Sequence, residues 1–405
     1  MDRTSPRDSS LFQLSCLRAC RLLALVIFAA SASSLVQAQK FSVLYSFQGS
    51  PDGANPKAGL ITDLAGNFYG TTAFGGTSGF GTVFKLDKKH KETVLYSFKG
   101  GDGAFPVDNL VIDTKGNLYG TTTVGGGANA LGVVFKVTKT GSESMLHAFT
   151  GQNGDGATPS AGLIRDKKGN LYGTTMAGGS HGGGIVFKLT PANKLIVLHS
   201  FCAKQNCSDG KGSVASLIMD SAGNLYGTTL GGGNTICDGG CGVVFKLTPS
   251  KKETVLYTFC SVQNCTDGAG PAAGLIQDSA GNLYGTTSAG GDPNCNCGTV
   301  FKLDPTNHEV VLHSFTGSPD GSIPEASLIM DLKSNLYGTT VVGGTSNDGT
   351  VFKIDSSNNE TILHSFNGTD GAGIYGNVIL YKGNLYGTAN SGGAVGVGTI
   401  FKLAP

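Results

Sequence analysis

The chain has 405 residues, 29 basic and 28 acidic side chains and a formal net charge of +1, with 64 glycines and no Trp. So balanced a charge excludes a surface that holds nucleic acid or anionic lipid by field strength, and the lack of Trp argues against Trp-based sugar platforms while leaving Tyr and Phe versions open. The length suits two or three ordinary domains or one large closed repeat.

Residues 1–38 read as a secretory signal peptide. Arg18 and Arg21 precede the apolar run LLALVIFAASASSLV, and VQA at 36–38 places cleavage after Ala38. A membrane anchor needs ~20 apolar residues, and this run is shorter and rich in Ala and Ser. Residues 39–405 are then one exported domain, periplasmic or extracellular, with no membrane span and a monomeric state expected.

The mature chain opens with FSVLYSF (41–47) and continues in units marked by an LYGT-type element at 68, 118, 171, 225, 283, 336 and 385. The spacings of 50, 53, 54, 58, 53 and 49 residues fit blades of a β-propeller, and a β-solenoid would use shorter repeats. Each unit carries four strand-like runs; in the second they are 109–113, 117–122, 133–137 and 143–149. The opening FSVLYSF matches a fourth run without its first three, and residues 377–403 supply three runs without a fourth. These halves complete one another only in a ring, where pairing removes both free edges. The expected fold is all-β: a seven-bladed β-propeller of four-stranded antiparallel blades, closed by the N-terminal strand joining the last blade.

Repeated residues have structural explanations. Five units read D-x-x-G-N between the first two runs, the pattern of a hairpin in which Asp caps amides and Gly takes a left-handed conformation. Ser334 replaces that Gly once and Tyr381 replaces the Asp once, which marks these two hairpins as the least stable. Tyr119 and its six equivalents read as wedges between blades, with Gly120 making room. The Lys of each FKL-type motif, from Lys85 to Lys402, reads either as pairing with the acid opening the next strand (Glu92, Glu143, Glu253, Glu309, Glu360) or as a snorkelling surface Lys. His147, His199, His313 and His364 share a slot with Tyr45, Tyr96 and Tyr257, an aromatic packing position.

Antiparallel succession puts the long, variable loops on one face, which is the expected binding surface. That face carries a D-G step in every blade-to-blade loop, at Asp52, Asp102, Asp155, Asp209, Asp267, Asp320 and Asp370. These are turn residues or, alternatively, a crown of carboxylates for Ca²⁺ or a cationic ligand; no other cofactor is indicated. It also carries Cys202, Cys207, Cys237, Cys241, Cys260, Cys265, Cys295 and Cys297, an even number that suggests disulfides in an exported chain. The pairs 202–207, 237–241 and 260–265 fit local bridges; a 295–297 bridge would be strained, so exchange among the loops stays open.

The set G-N-L-Y-G-T-T, G-G, G-x-V-F-K-L and L-Y-S-F resembles the GloVer-type (Gloeobacter/Verrucomicrobia) tandem repeat proteins over residues 41–403. The resemblance implies an exported bacterial protein and carries no activity with it; the chain ends at Pro405 without a sorting tail. Two functions follow. One is a non-enzymatic binding or scaffold module for a glycan or protein partner, favoured by the near equivalence of the units. The alternative is a polysaccharide hydrolase or lyase at the channel mouth, which needs an asymmetric acid–base cluster. Arg165, Asp108 and Glu325 break the repeat, but they lie in different units and show no convergence along the sequence.

Overall fold

A computed structural model of the chain describes residues 40–128 and 131–405. The signal peptide expected at 1–38, with Cys16 and Cys20, lies outside the described residues. Among them no helix is long and apolar enough to cross a membrane.

Seven four-stranded antiparallel sheets form the seven blades. Blade one comprises Ile61–Thr62, Phe68–Thr72, Thr82–Leu86 and Glu92–Ser97. Blades two to six repeat it, and blade seven joins Ile379–Tyr381, Asn384–Ala389 and Thr399–Leu403 to Phe41–Ser46. Phe41 pairs with Leu403 and Ser46 with Thr399, so the first strand of the chain is the outer strand of the last blade. The ring closes as the split termini demand.

The cores lie between blades, because each sheet buries both faces against its neighbours. Phe47, Phe98, Phe149, Phe201, Phe259, Phe315 and Phe366 end the outer strands and are fully or almost fully buried. Each packs edge-on against the third-strand Phe of the following blade, with ring centroids 5.0–5.3 Å apart. That third-strand ring lies over the Gly of the L-Y-G-T motif in its own blade. A Cβ on Gly120 would meet the Phe135 ring at 2.7 Å and Leu110 at 2.9 Å. The expected spacer role of this Gly therefore holds, and the ring it accommodates comes from the same blade.

The hairpins between the first two strands are tied more firmly than a capped turn. In blades one to six the Asp accepts from the Asn four residues on, through its backbone amide and its side-chain amide, and from the Tyr hydroxyl at 3.0–3.1 Å. Ser334 keeps this clasp and takes the left-handed φ of +62° that Gly takes elsewhere. The blade-seven hairpin is a different turn rather than a weakened copy. It is one residue shorter, with Lys382 and Gly383 at φ +49° and +75° between the paired Tyr381 and Asn384.

Two further expectations are corrected. The FKL lysines form no ion pair with the acids that open the outer strands. Register sets Lys85 opposite Tyr69 and Leu86 opposite Glu92, so Lys and Glu point to opposite faces. Lys188, Lys246, Lys302 and Lys402 instead lie 5.4–6.0 Å over the Tyr ring of the adjacent strand. The first strand is also short: in blade two only Val111–Ile112 pair, while residues 107–109 run on unpaired to line the axis.

The glutamates face the preceding blade. Glu92, Glu143, Glu253, Glu309 and Glu360 each hold a buried Oε1 without a hydrogen-bond partner, and Glu253 alone gains a cation, Lys204 at 2.8 Å. Burial, reinforced by Asp52, Asp102, Asp267 and Asp320, pushes the carboxyls of Glu92, Glu143, Glu309 and Glu360 from 4.5 up to about 7.

Phe47→Ala should cost about 3–5 kcal/mol through loss of a buried ring at the closing joint, whereas Val43→Ala on the exposed side of the same strand should cost less than about 1 kcal/mol; denaturant midpoints measure both. Because the four glutamates bind protons more tightly folded than unfolded, their contribution is fully present below 4.5 and is lost as pH rises through about 7. Combining Glu92→Gln, Glu143→Gln, Glu309→Gln and Glu360→Gln should raise the melting temperature in mildly alkaline buffer, leave it nearly unchanged in mildly acidic buffer, and so flatten the melting profile.

Candidate functional site

The blade-to-blade loop entering each blade pairs with the loop between that blade's second and third strands, placing both on one face. Gly53–Ala54 pairs with Phe74–Gly75, and equivalent pairs or bridges occur in all seven blades. At the centre of this loop-rich face is a cavity of about 460 Å³, lined by residues of all seven blades, a size within the range of ligand pockets.

Three consecutive positions ahead of each first strand build its wall and floor, all three in six blades and Ser160 alone in blade three. The third is Gly59, Asn109, Gly162, Ser216, Gly274, Ser327 and Asn377 around the ring. Gly in blades one, three and five makes room for its neighbours. A Cβ on Gly59 would meet Asn377 Oδ1 at 2.5 Å and Asn109 Oδ1 at 2.9 Å. Over it, Asn109 Nδ2 donates to Asn377 Oδ1 at 2.7 Å.

The second position is Ala or Gly in six blades. Its carbonyl accepts from the Thr following the motif Gly in the preceding blade, at 2.6–3.4 Å in six joints, including Thr388 to Ala58 across the closure. Asp108 occupies this position in blade two. There Thr71 Oγ1 is buried without a partner, and the Asp108 carboxylate instead takes the amides of Asn109 at 2.5 Å and of Gly162 in blade three at 2.6 Å. Burial nevertheless holds its carboxyl up at about 6.

The first position carries Lys57, Val107, Ser160, Val214, Ala272, Glu325 and Tyr375, all half-buried at the cavity wall. Glu325, Tyr375 and Lys57 come from the successive blades six, seven and one. Lys57 Nζ lies 5.1 Å from the centre of the Tyr375 ring. Among the described residues, Lys57 and Glu325 make no ion pair within 4.0 Å. Burial raises the Glu325 carboxyl, with Lys57 opposing, and burial together with the Glu325 charge raises the Tyr375 hydroxyl.

On the rim, Phe74, Phe80 and Phe105 form an aromatic cluster, with Phe105 5.1 Å from Phe74 and 6.2 Å from Phe80. Phe105 has a φ of +58°, at a position occupied elsewhere by Asn55, Thr158, Ile323 and three glycines, all with positive φ. Two backbone hydrogen bonds pin it, from its amide to Phe80 O and from the Thr123 amide to its carbonyl. A bulky residue is strained in this conformation, so the ring is held over the cavity mouth at a conformational cost.

Asp108 and Glu325 thus converge on one cavity, contrary to the scattered reading of their units. Arg165 does not join them; its guanidinium lies 6.0 Å from the Tyr119 ring. What hid the site in the sequence is that its residues are 50 or more positions apart and look like noise in a repeat; aligning the seven units column by column singles out the position of Lys57, Glu325 and Tyr375.

The aspartates of the D-G steps lie on the loop-rich face, each engaged within its own loop. Asp52 accepts from Tyr45 at 2.9 Å and from the amides of Gln48 and Gly53, and Tyr96 holds Asp102 likewise. Tyr257 holds Asp267 at 2.8 Å. His147, His313 and His364 hold Asp155, Asp320 and Asp370 at 2.9–3.3 Å, while His199 Nε2 lies 3.4 Å from Asp209 without forming a hydrogen bond. Among the described residues no three of these carboxylates gather within reach of one metal ion. In six blades the Tyr/His slot thus combines packing, edge-on against the following Phe, with a hydrogen bond that both residue types can donate; His199 packs without it. A bulge at the preceding Leu, such as Leu95 between paired Val94 and Tyr96, recurs in every outer strand.

The cysteines pair locally as 202–207, 237–241, 260–265 and 295–297. The sulfurs of Cys237, Cys241, Cys260 and Cys265 lie within 4.8 Å of one another, bringing two bridges of adjoining loops together.

Comparison with known proteins agrees with this architecture. The model of the Gloeobacter/Verrucomicrobia repeat matches residues 29–239, 118–340 and 213–405, overlapping windows that span every unit. No curated protein matches. Among solved structures, extracellular domains assigned to the hybrid two component systems BT4673 and BT3049 of B. thetaiotaomicron are similar, with TM-scores of 0.57 and 0.56 at 12% and 15% identity over 90% of this chain. This chain covers 40% and 41% of theirs, about two fifths of their length. A protein assigned as a 6-phosphogluconolactonase from Bacteroides uniformis has a TM-score of 0.50 at 14% identity, over 78% of this chain and 86% of its own. At these identities the likeness is one of fold.

Phe105→Gly should leave the melting midpoint close to wild type, with a loss below about 1 kcal/mol, because relief of the left-handed strain offsets the lost ring contacts. Thermal unfolding of the variant beside Phe98→Ala, which should lose about 3–5 kcal/mol, checks it.

Proposed function

The chain belongs to the Gloeobacter/Verrucomicrobia repeat family, and from that premise we propose that it is an exported, non-enzymatic binding module that captures a glycan or protein partner on its loop-rich face, with the axial cavity as the ligand pocket. One observation carries the reading: charged and aromatic side chains break the sevenfold pattern at cavity-lining positions, Lys57, Glu325 and Tyr375 at the first of the three and Asp108 at the second. The exposed Phe74 beside Phe105 supplies an apolar platform of the kind that stacks on a sugar ring. Export is supported by the leader pattern, the four disulfides and the fold likeness to extracellular domains.

The alternative, a polysaccharide hydrolase or lyase, draws on two carboxyls raised by burial at one cavity, Asp108 at about 6 and Glu325. Against it, both Asp108 oxygens are occupied by backbone amides, which suits a wall strut better than a proton shuttle.

Titration calorimetry against an oligosaccharide panel, paired with reducing-end release from the corresponding polymers, separates the two. Binding without release is expected, weakened about tenfold or more (1.4 kcal/mol) by Tyr375→Ala or Lys57→Ala. Release that is abolished by Glu325→Gln would replace the binding module with the enzyme.

A further inference from the structure

We propose that the cavity selects a zwitterionic unit, an amino-acid-like group presenting a carboxylate to Lys57 and an ammonium to Glu325 across the Tyr375 ring. This rests on the axial cavity being the ligand pocket and specifies what it takes.

The argument starts from the cost of leaving charges half-buried. An ion withdrawn from water is tolerated when it is paired or finds a counter-charge. Lys57 and Glu325 are of opposite sign, come from blades one and six, and face one cavity. They still do not meet: no ion pair joins them within 4.0 Å, and Tyr375 of the intervening blade stands between their blades. Lys57 lies over the Tyr375 ring, and among the described residues neither it nor Glu325 has an ion-pair partner within 4.0 Å. The ligand that pairs with both carries one positive and one negative group on a short frame.

The remaining cavity groups agree. The Asp108 carboxylate is spent on two backbone amides, leaving Glu325 as the anion available to an ammonium. On the floor Asn109 Nδ2 donates to Asn377 Oδ1, while Asn109 Oδ1, buried without a partner, is an uncharged acceptor that suits an ammonium and not a carboxylate. Val107, Ser160, Val214 and Ala272 make the rest of this ring of wall positions uncharged. A purely anionic ligand would lie beside Glu325 and Asp108 without gain, and a purely cationic one beside Lys57. The αL-pinned Phe105 and its neighbour Phe74 then receive whatever side group or polymer extends from the zwitterion towards solvent.

The test uses the purified protein and phenylalanine, N-acetylphenylalanine, phenylalaninamide and cellobiose in titration calorimetry at neutral pH. Phenylalanine should bind at least about tenfold tighter than either singly charged derivative. Lys57→Met should erase its advantage over phenylalaninamide, and Glu325→Gln its advantage over N-acetylphenylalanine, with the melting temperature of both variants near wild type. Equal affinity for the three phenylalanine compounds, or an advantage that survives both substitutions, overturns the proposal. Cellobiose binding without phenylalanine binding overturns it too while leaving the pocket in place; binding of no probe removes both the selectivity and the pocket.

Discussion

Edge-to-face contact between the Phe that ends one blade's outer strand and the Phe on the next blade's third strand recurs at all seven joints, and most of the repeat can be derived from it. The third-strand ring needs a partner strand without a side chain beneath it, hence the Gly of the L-Y-G-T motif. The outer-strand ring needs its strand end held down, hence the Tyr or His that precedes it and clasps the Asp of the following loop. The cores consequently belong to pairs of blades, and none is complete until its neighbour is in place. The closing joint has no separate mechanism; Phe47 does at Phe84 what Phe98 does at Phe135.

Electrostatics is subordinate to this packing. Five glutamates are drawn into the joints without hydrogen-bond partners for one oxygen, and the joints that lack one are filled by apolar groups. Phe41 stacks on His364 at 3.8 Å in blade seven, and Leu195 holds the place in blade three. That Phe, Leu and Glu interchange here marks the position as mainly a packing site whose carboxylate is tolerated. The lysines follow the same logic, lying along Tyr rings rather than pairing with acids.

The blade count, strand order and closure were legible because they depend on periodicity and on two half-units at the termini. The Asp–Asn–Tyr clasp was half legible: D-x-x-G-N announced a turn, but nothing local says that Tyr69 folds back onto Asp63. The pairing of Lys85 with Glu92 failed for a reason of parity, since one residue of offset in an antiparallel pair sends two side chains to opposite faces. The axial pocket was the least legible part. Lys57, Asp108, Glu325 and Tyr375 are meaningless at their own sites in the chain and acquire sense only when seven distant segments are wrapped around one axis. Departure from the repeat, more than any motif, was the useful signal.

Closure by the first strand also has a consequence for assembly in time. Phe41–Ser46 is the first strand of the ring, and its ladder partner Thr399–Leu403 is the ring's last. Whatever the order in which the middle blades form, this first strand waits without a ladder partner until the ring's last strand has been made. Blade six likewise has no neighbour to cover its exposed face until then. The ring is therefore a checkpoint on its own completeness: a product lacking the last blade retains two sticky surfaces, and only one carrying both closing strands can bury them.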